Sequence, residues 1–392
     1  MEPTAAPIAH ERGKPSFGDF LRYFLGLGTW GFGGPIATVG YMQRDLVVGR
    51  HWVPERDFLN GVALGQTMPG PLAAQVVMWV GYLQRGALGA LATAAAFILP
   101  SFVLVFGVAV LYVHFQGLQA VQALFYGIAP AVMSVIAVAA VKLSRLTNRV
   151  DARLWVISAI TCAVTAATGT EVALLFIGAG LVMVLWDAPP KFAPWHGRMA
   201  ALFPWPVVAA LAADASGSTM LILGLFFLKA GAFIFGSGLA IVPFLREGVV
   251  EQHHWLTERQ FLDAVAMGLI TPGPVVITAT FIGYLVSGPI GAIVATLGIF
   301  VPIYMGVVVP GRWFVRHQDR APIQAFVKGA TAAAAGAIAG ATIVLARGAI
   351  VDWPTAGIAS AAMAFVLRFK SREPVLVILA AIAGLILFPL RG

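Results

Sequence analysis

Cysteine is almost missing: Cys162 is the single one in 392 residues, which excludes an internal disulfide and any cysteine-rich metal site. Charge is scarce too. Asp, Glu, Lys and Arg make up 11% of the chain and apolar residues 59%, where a soluble domain carries roughly 25% charged residues. At a mean hydropathy of +0.88 the main solvent is lipid, and a backbone in lipid must satisfy its own hydrogen bonds, so helices are expected. The alternating segments of about ten residues that a membrane β-barrel needs are absent. No His/Cys/Asp/Glu cluster has metal-ligand spacing, no P-loop occurs and no serine stands in a nucleophile elbow, so neither an enzyme nor a cofactor nor a metal is expected. The net charge of +8 does not point to nucleic acid, because the basic residues sit in short loops between apolar runs, as topology signals do. Residues 1–19 are polar, and the apolar run after them is too long and glycine-rich for a cleaved signal peptide.

What is present is a repetition. His51 to Pro71 reads HWVPERDFLNGVALGQTMPGP, and His254 to Pro274 reads HWLTERQFLDAVAMGLITPGP. Around these copies Phe32-Gly33-Gly34-Pro35 is answered by Phe235-Gly236-Ser237-Gly238, Gly81-Tyr82-Leu83 by Gly283-Tyr284-Leu285, and the run from Gly86 to Pro100 by that from Gly288 to Pro302. The reading is an all-α integral membrane protein of two homologous halves, with a cytoplasmic tail at 1–19, a first membrane repeat at 20–186, a linker at 187–218 and a second repeat at 219–392. Spans are expected at 58–83 (interrupted by Pro-Gly-Pro), 87–113, 121–141, 154–168 and 171–186, and again at 323–346, 350–367 and 374–390, with a short extra span at 199–213.

Charge in equivalent loops suggests how the halves are oriented. The 114–119 loop has no Lys or Arg whereas its counterpart holds Arg312, Arg316 and Arg320; one span later Lys142, Arg145, Arg149 and Arg153 face a lone Arg347. Such a bias is the mark of an inverted repeat, with the 142–153 loop in the cytoplasm. It requires an odd number of crossings before the second half, and an even count with parallel halves stays open.

A Pro-Gly-Pro within the membrane strips backbone groups of helical partners, each costing several kcal/mol in lipid, so the break must line a polar cavity or lie within protein. Where a helix restarts, its free N–H groups and dipole suit an anion. The expected substrate set is Gly33, Gly34, Pro35, Gln66, Thr67, Pro69, Gly70, Pro71, Lys229, Gly236, Ser237, Thr271, Pro272, Gly273 and Pro274, with Gln75 and Thr278 one turn beyond. Isolated glycines fit tight helix packing equally well. Lys229 offers charge compensation, or snorkels to an interface. Glu55-Arg56 and Glu258-Arg259 precede the broken segments as gates or internal ion pairs, and Asp263, answering Asn60, is a candidate for coupling. His51, His254, Trp52 and Trp255 read as interface anchors.

In combination, Phe32-Gly33-Gly34-Pro35 with Pro69-Gly70-Pro71, repeated as Phe235-Gly236 with Pro272-Gly273-Pro274, resembles the chromate ion transporter family in its long-chain, two-domain form, over about residues 20–390. The resemblance implies a multi-pass protein of the cytoplasmic (inner) membrane, N-terminus in the cytoplasm, that exports chromate on the proton motive force and confers chromate resistance, with sulfate as competitor. The second half departs from the first in that Gly236-Ser237-Gly238 lacks a proline and Lys229 stands where the first half has Gly26. Chromate and the lipid bilayer are the expected partners, nucleic acid is not, and a homodimer is left open. An uptake carrier for sulfate or another oxyanion, an anion channel, and a non-transporting scaffold binding partners through basic loops remain alternatives.

Overall fold

The computed structural model describes residues 16–31, 34–68, 70–115, 119–168, 173–189, 218–234, 241–317, 319–369 and 373–388, and every regular element among them is helical. In the first half these are α1 (Phe17–Trp30), α2 (Gly34–Met42), α3 (Glu55–Thr67), α4 (Leu72–Phe115), α5 (Gln119–Asn148), α6 (Ala152–Thr168) and α7 (Ala173–Asp187). The second half repeats them as α8 (Thr219–Phe233), α9 (Ile241–Arg246), α10 (Glu258–Ile270), α11 (Thr278–Val308), α12 (Gly311–His317), α13 (Ala321–Ala349), α14 (Trp353–Arg368) and α15 (Glu373–Leu387). The segments Leu72–Phe115, Gln119–Asn148, Val275–Val308 and Ala321–Ala349 are long and apolar enough to cross a membrane. The 199–213 piece lies outside the described residues.

The broken segments are re-entrant hairpins. α1 is capped by Ser16, whose Oγ accepts the Asp19 N–H at 3.1 Å, and its 14 residues extend only about 21 Å, short of the roughly 30 Å hydrocarbon core. Beyond Gly31 the chain turns back: Trp52 stacks on Phe20 at 5.4 Å and the Tyr23 hydroxyl donates to Asp45 at 3.3 Å. α3 then enters beside it, 13 residues long, and Pro-Gly-Pro reverses it into α4. Trp79 Nε1 donates to the Asp57 carbonyl at 2.9 Å, and a methyl group on Gly61 would strike the Trp79 ring. Residues 58–83 therefore form a hairpin that returns to the face it left, rather than one interrupted span: two half-depth arms let the Pro-Gly-Pro backbone sit inside protein instead of in lipid.

α4 folds back once more, at Arg85 (φ −142°) and Gly86 (φ +62°, ψ −148°). That second pair of angles is open essentially to glycine alone. Past the bend Thr93 Oγ1 donates to the Val77 carbonyl at 3.1 Å, and Gly81 lies against Gly89 so closely that a Cβ on either would meet the other's carbonyl oxygen. The second half repeats the device at Ser287 and Gly288 (φ +63°, ψ −152°), with the Thr280 and Thr296 hydroxyls 2.7 Å apart. Each long helix is thus a short inner arm and a crossing outer arm.

The outer arms run antiparallel. Tyr304, late in α11, donates its hydroxyl to the Ala87 carbonyl at 3.0 Å, at the start of the α4 outer arm. Reciprocally, Phe106 meets Tyr284 edge-on at 5.3 Å. Equivalent helices crossing in opposite senses make the two halves an inverted repeat. They also exchange helices. α13 packs on α6 and α7 of the first half, and α5 on α14 and α15 of the second. The exchange rests on small residues, as small-xxx-small contacts do: a methyl group on Gly127 would meet the Ala380 carbonyl, and one on Gly336 the Ser158 carbonyl.

Following the chain through these contacts sorts its ends onto two faces. One face carries the start of α1, whose Phe17 ring lies 4.6 Å beneath Arg85; Arg312, 5.4 Å over the Tyr82 ring; and Arg153, 2.7 Å from Asp187. At this rim the Arg153 guanidinium also holds the Asp151 carboxyl below the usual carboxylate range. The opposite face carries the starts of α5, α8 and α10 and the end of α13. Arg259 donates there to the Gln122 carbonyl at 3.2 Å and Tyr126 to Asp352 at 2.7 Å. Pro189 and Ser218, on either side of the undescribed linker, lie on opposite faces.

Candidate functional site

The hairpin tips enter from opposite faces, and each reaches the middle of the other half's outer arm. Gly70, at the first Pro-Gly-Pro, adopts φ +139° and donates its N–H to the Ile234 carbonyl at 2.6 Å, at the end of α8 in the other half. A Cβ at Gly70 would lie 2.7 Å from Gln75 Nε2 and 3.0 Å from Ile303. Gly273, at the second tip, adopts φ +100°, and a Cβ there would collide with Ser101 Oγ. Ser101 is fully buried, halfway along the α4 outer arm, and donates to the Pro272 carbonyl at 2.5 Å. Ile303 occupies the place equivalent to Ser101. Each outer arm therefore carries the other half's tip at mid-height, by a hydrogen bond on one side and an apolar contact on the other.

Helix starts converge at these tips. The first intrahelical bond of α4 runs from the Gln75 N–H to the Pro71 carbonyl at 3.1 Å, which leaves the N–H groups of Leu72 to Ala74 without helical acceptors. The second tip restarts as a tighter turn, Val275–Ile277. Such ends are electropositive and fit an oxyanion without a metal. Gln75, with no exposed surface, braces the first tip by donating to the Met68 carbonyl at 3.4 Å.

Of the expected substrate residues, Gly70, Pro71, Thr271, Pro272, Gly273 and Pro274 lie at the two tips, and Gly34 and Pro35 open α2. Gly33, Pro69, Gly236 and Ser237, and the side chain of Thr67, fall outside the described residues. Gln66 is exposed. The Thr271 hydroxyl donates back to the Met267 carbonyl at 3.0 Å and Thr278 to Val275 at 2.8 Å, so both cap their own breaks. Lys229 is half-buried, and at about 100° per residue it points well away from the α8 face formed by Leu223, Phe227 and Ala230.

The two Glu-Arg pairs behave differently. Glu258 accepts from Arg246 Nε at 2.8 Å, Arg246 also holds Glu251 at 3.0 Å, and Arg259 reaches the Gln122 carbonyl instead. The first half has Gln43 in the place of Arg246. Glu55 and Arg56 are exposed at the start of α3, in no ion pair among the described residues. Asp263 is 3% exposed and accepts the Tyr112 hydroxyl at 2.7 Å. Ser101 and Tyr112 were not anticipated. Their signal in the sequence is a hydroxyl inside an apolar run, directly after Pro100 in the first case.

The family model described as chromate transporter matches residues 18–184 and again 221–385. The chain is 47% identical over 390 residues to a chromate transport protein of Cupriavidus metallidurans, covering 99% of this chain and 97% of that one. It is 45% identical to a probable chromate transport protein of Synechococcus elongatus, covering 97% and 98%, and 31% identical to a chromate transport protein of Pseudomonas aeruginosa, covering 96% and 94%. No solved structure matches.

Proposed function

Because the chain belongs to the chromate transporter family, we propose that it is a secondary active carrier that exports chromate from the cytoplasm on the proton motive force and so confers chromate resistance. The observation that carries this reading is that the two Pro-Gly-Pro tips, entering from opposite faces, are each held at mid-height by residues of the opposite half. A site at such a junction opens to one side or the other by rocking one half against its inverted partner. Chromate is a tetrahedral dianion, and electropositive helix starts around the tips give it donors.

In this reading Gly33, Gly34, Pro35, Thr67, Pro69, Gly70, Pro71, Gly236, Ser237, Thr271, Pro272, Gly273 and Pro274 form the backbone cradle, Lys229 and Gln66 act at its approaches, and Glu55, Arg56, Glu258 and Arg259 gate the two hairpins. The face bearing Arg85, Arg145, Arg153, Arg312 and Arg316 is the cytoplasmic one by the positive-inside rule, which puts the N-terminus in the cytoplasm of an inner-membrane protein. Sulfate, with the same charge and nearly the same shape, competes.

The test is chromate accumulation in inside-out vesicles energised by a proton gradient, with and without excess sulfate, for the wild type and for Gly70→Leu with Gly273→Leu. Gradient-dependent uptake that the double variant loses is expected. A correctly inserted wild type that moves no chromate overturns the proposal.

A further inference from the structure

Among the described residues Asp263 is the one buried carboxylate. It lies on α10, buried on every side from Phe261 to Gly268, five residues in from the rim residue Glu258. Its partner comes from the other half. Tyr112, near the end of the α4 outer arm, gives its hydroxyl hydrogen to Asp263 Oδ2 at 2.7 Å, and the Tyr112 ring is held edge-on by Phe125 at 5.4 Å and Phe281 at 5.2 Å.

Among the described residues the groups acting on this carboxyl are Tyr112 and Arg259. Arg259, one turn nearer the rim, is exposed and bonded to the Gln122 carbonyl. Arg246 of α9 is taken up by Glu258 and Glu251. From α5, α11, α13 and α15, which also touch α10, no charged group joins them. An ionised carboxylate with a single hydroxyl for company is costly in such a place, and a protonated one is at ease. The first half has nothing equivalent: Asn60 stands for Asp263 and Phe314 for Tyr112.

We propose that Asp263 is the proton-binding group of the transport cycle, one per chain, loaded from the face where α10 enters, with Tyr112 as the positioning residue that holds its deprotonated form. This rests on the proton-driven reading above. When the second-half hairpin opens to that face, chromate leaves and Asp263 takes a proton and becomes neutral; when the halves rock, it faces the cytoplasm and releases the proton as the next chromate binds. The ion-paired rim (Arg246, Glu258) and the bonded Arg259 close the entrance between these states. Only one hairpin carries the carboxyl, so the two inverted halves divide the labour: one tip is backed by a titratable pair and the other by a neutral one.

The experiment uses the full chain in proteoliposomes with labelled chromate, measuring acid-gradient-driven flux and chromate/chromate exchange without a gradient. In Asp263→Asn, which copies the first half, exchange is expected within about twofold of wild type while stimulation by the gradient falls to onefold. Asp263→Glu is expected to restore stimulation, and Tyr112→Phe to shift the pH of half-maximal flux with exchange retained. Full stimulation in Asp263→Asn, beside a stimulated wild type, overturns the assignment and leaves the proton-driven reading standing. A wild type without stimulation overturns both. If Asp263→Asn does not fold, unchanged pH profiles in both Asp263→Glu and Tyr112→Phe overturn the assignment, and a shifted profile in either supports it.

Discussion

Ser101, midway along the outer arm of α4, donates its hydroxyl to the Pro272 carbonyl of the second half, 2.5 Å away. Helix breaks cost hydrogen bonds, and a side chain from the inverted repeat restores one.

Ser101→Ala removes that donor and strands a buried carbonyl. Interhelical side-chain bonds in membranes average about 0.6 kcal/mol, whereas leaving a buried acceptor unmet costs about 1–3 kcal/mol. The second case applies, because the Pro272 carbonyl precedes a break. A loss of about 2 kcal/mol is expected, read as earlier thermal unfolding in detergent, together with slower transport. Unfolding and flux both at wild-type values would show that the bond contributes nothing.

Gly70 and Gly86 both have positive φ, +139° and +62°, yet they separate strain from crowding. A Cβ on Gly86 meets open space, whereas one on Gly70 presses on Gln75 and Ile303. Gly86→Ala is expected to lower stability by about 1–3 kcal/mol through backbone strain alone, with the KM for chromate unchanged. Gly70→Ala is expected to raise KM or abolish transport, because it shifts the tip itself. Equal transport defects in the two variants would mean that the tip has no special place in binding.

Arg145 and Arg347 are equivalent positions in the last turns of α5 and α13, and the antiparallel arms put them on opposite faces. The lone Cys162 makes the check direct. On a Cys162→Ser background, Arg145→Cys and Arg316→Cys are expected to react with a membrane-impermeant thiol reagent in inside-out vesicles, and Arg347→Cys in right-side-out ones. Labelling of Arg145→Cys and Arg347→Cys from one side would exclude the inverted arrangement.

Much of this fold can be read from the chain, because lipid leaves it few choices. The doubled Pro-Gly-Pro gives away the repeat, and the contrast between Lys142 to Arg153 and the lone Arg347 gives away its inversion, since charge reports the side of a loop whatever the helices do between. What composition conceals is reversal. Residues 58–83 have the length and hydropathy of a span, and the contacts of Trp79 with Asp57 and Gly61 reveal a hairpin. Likewise Arg85-Gly86 bends the chain without a proline to mark the place, although Pro289 follows the equivalent Ser287-Gly288. The site shows the same division: the tips are visible as motifs, but the partners that brace them, Ser101, Ile234 and Ile303, come from the other half and carry no local signature. Glu258 and Arg259, neighbours in sequence, bind Arg246 and Gln122 instead of each other, because adjacent residues on a helix point about 100° apart.

The exchange of helices between the halves also governs the order in which the molecule is made. α5 leaves the ribosome long before α14 and α15, which cover it, so the Gly127 surface stays bare to lipid or to chaperones until synthesis is almost complete. Neither half is then complete by itself, since each supplies helices that cover the other. Any lesion that truncates the C-terminus will damage the first half as surely as the second.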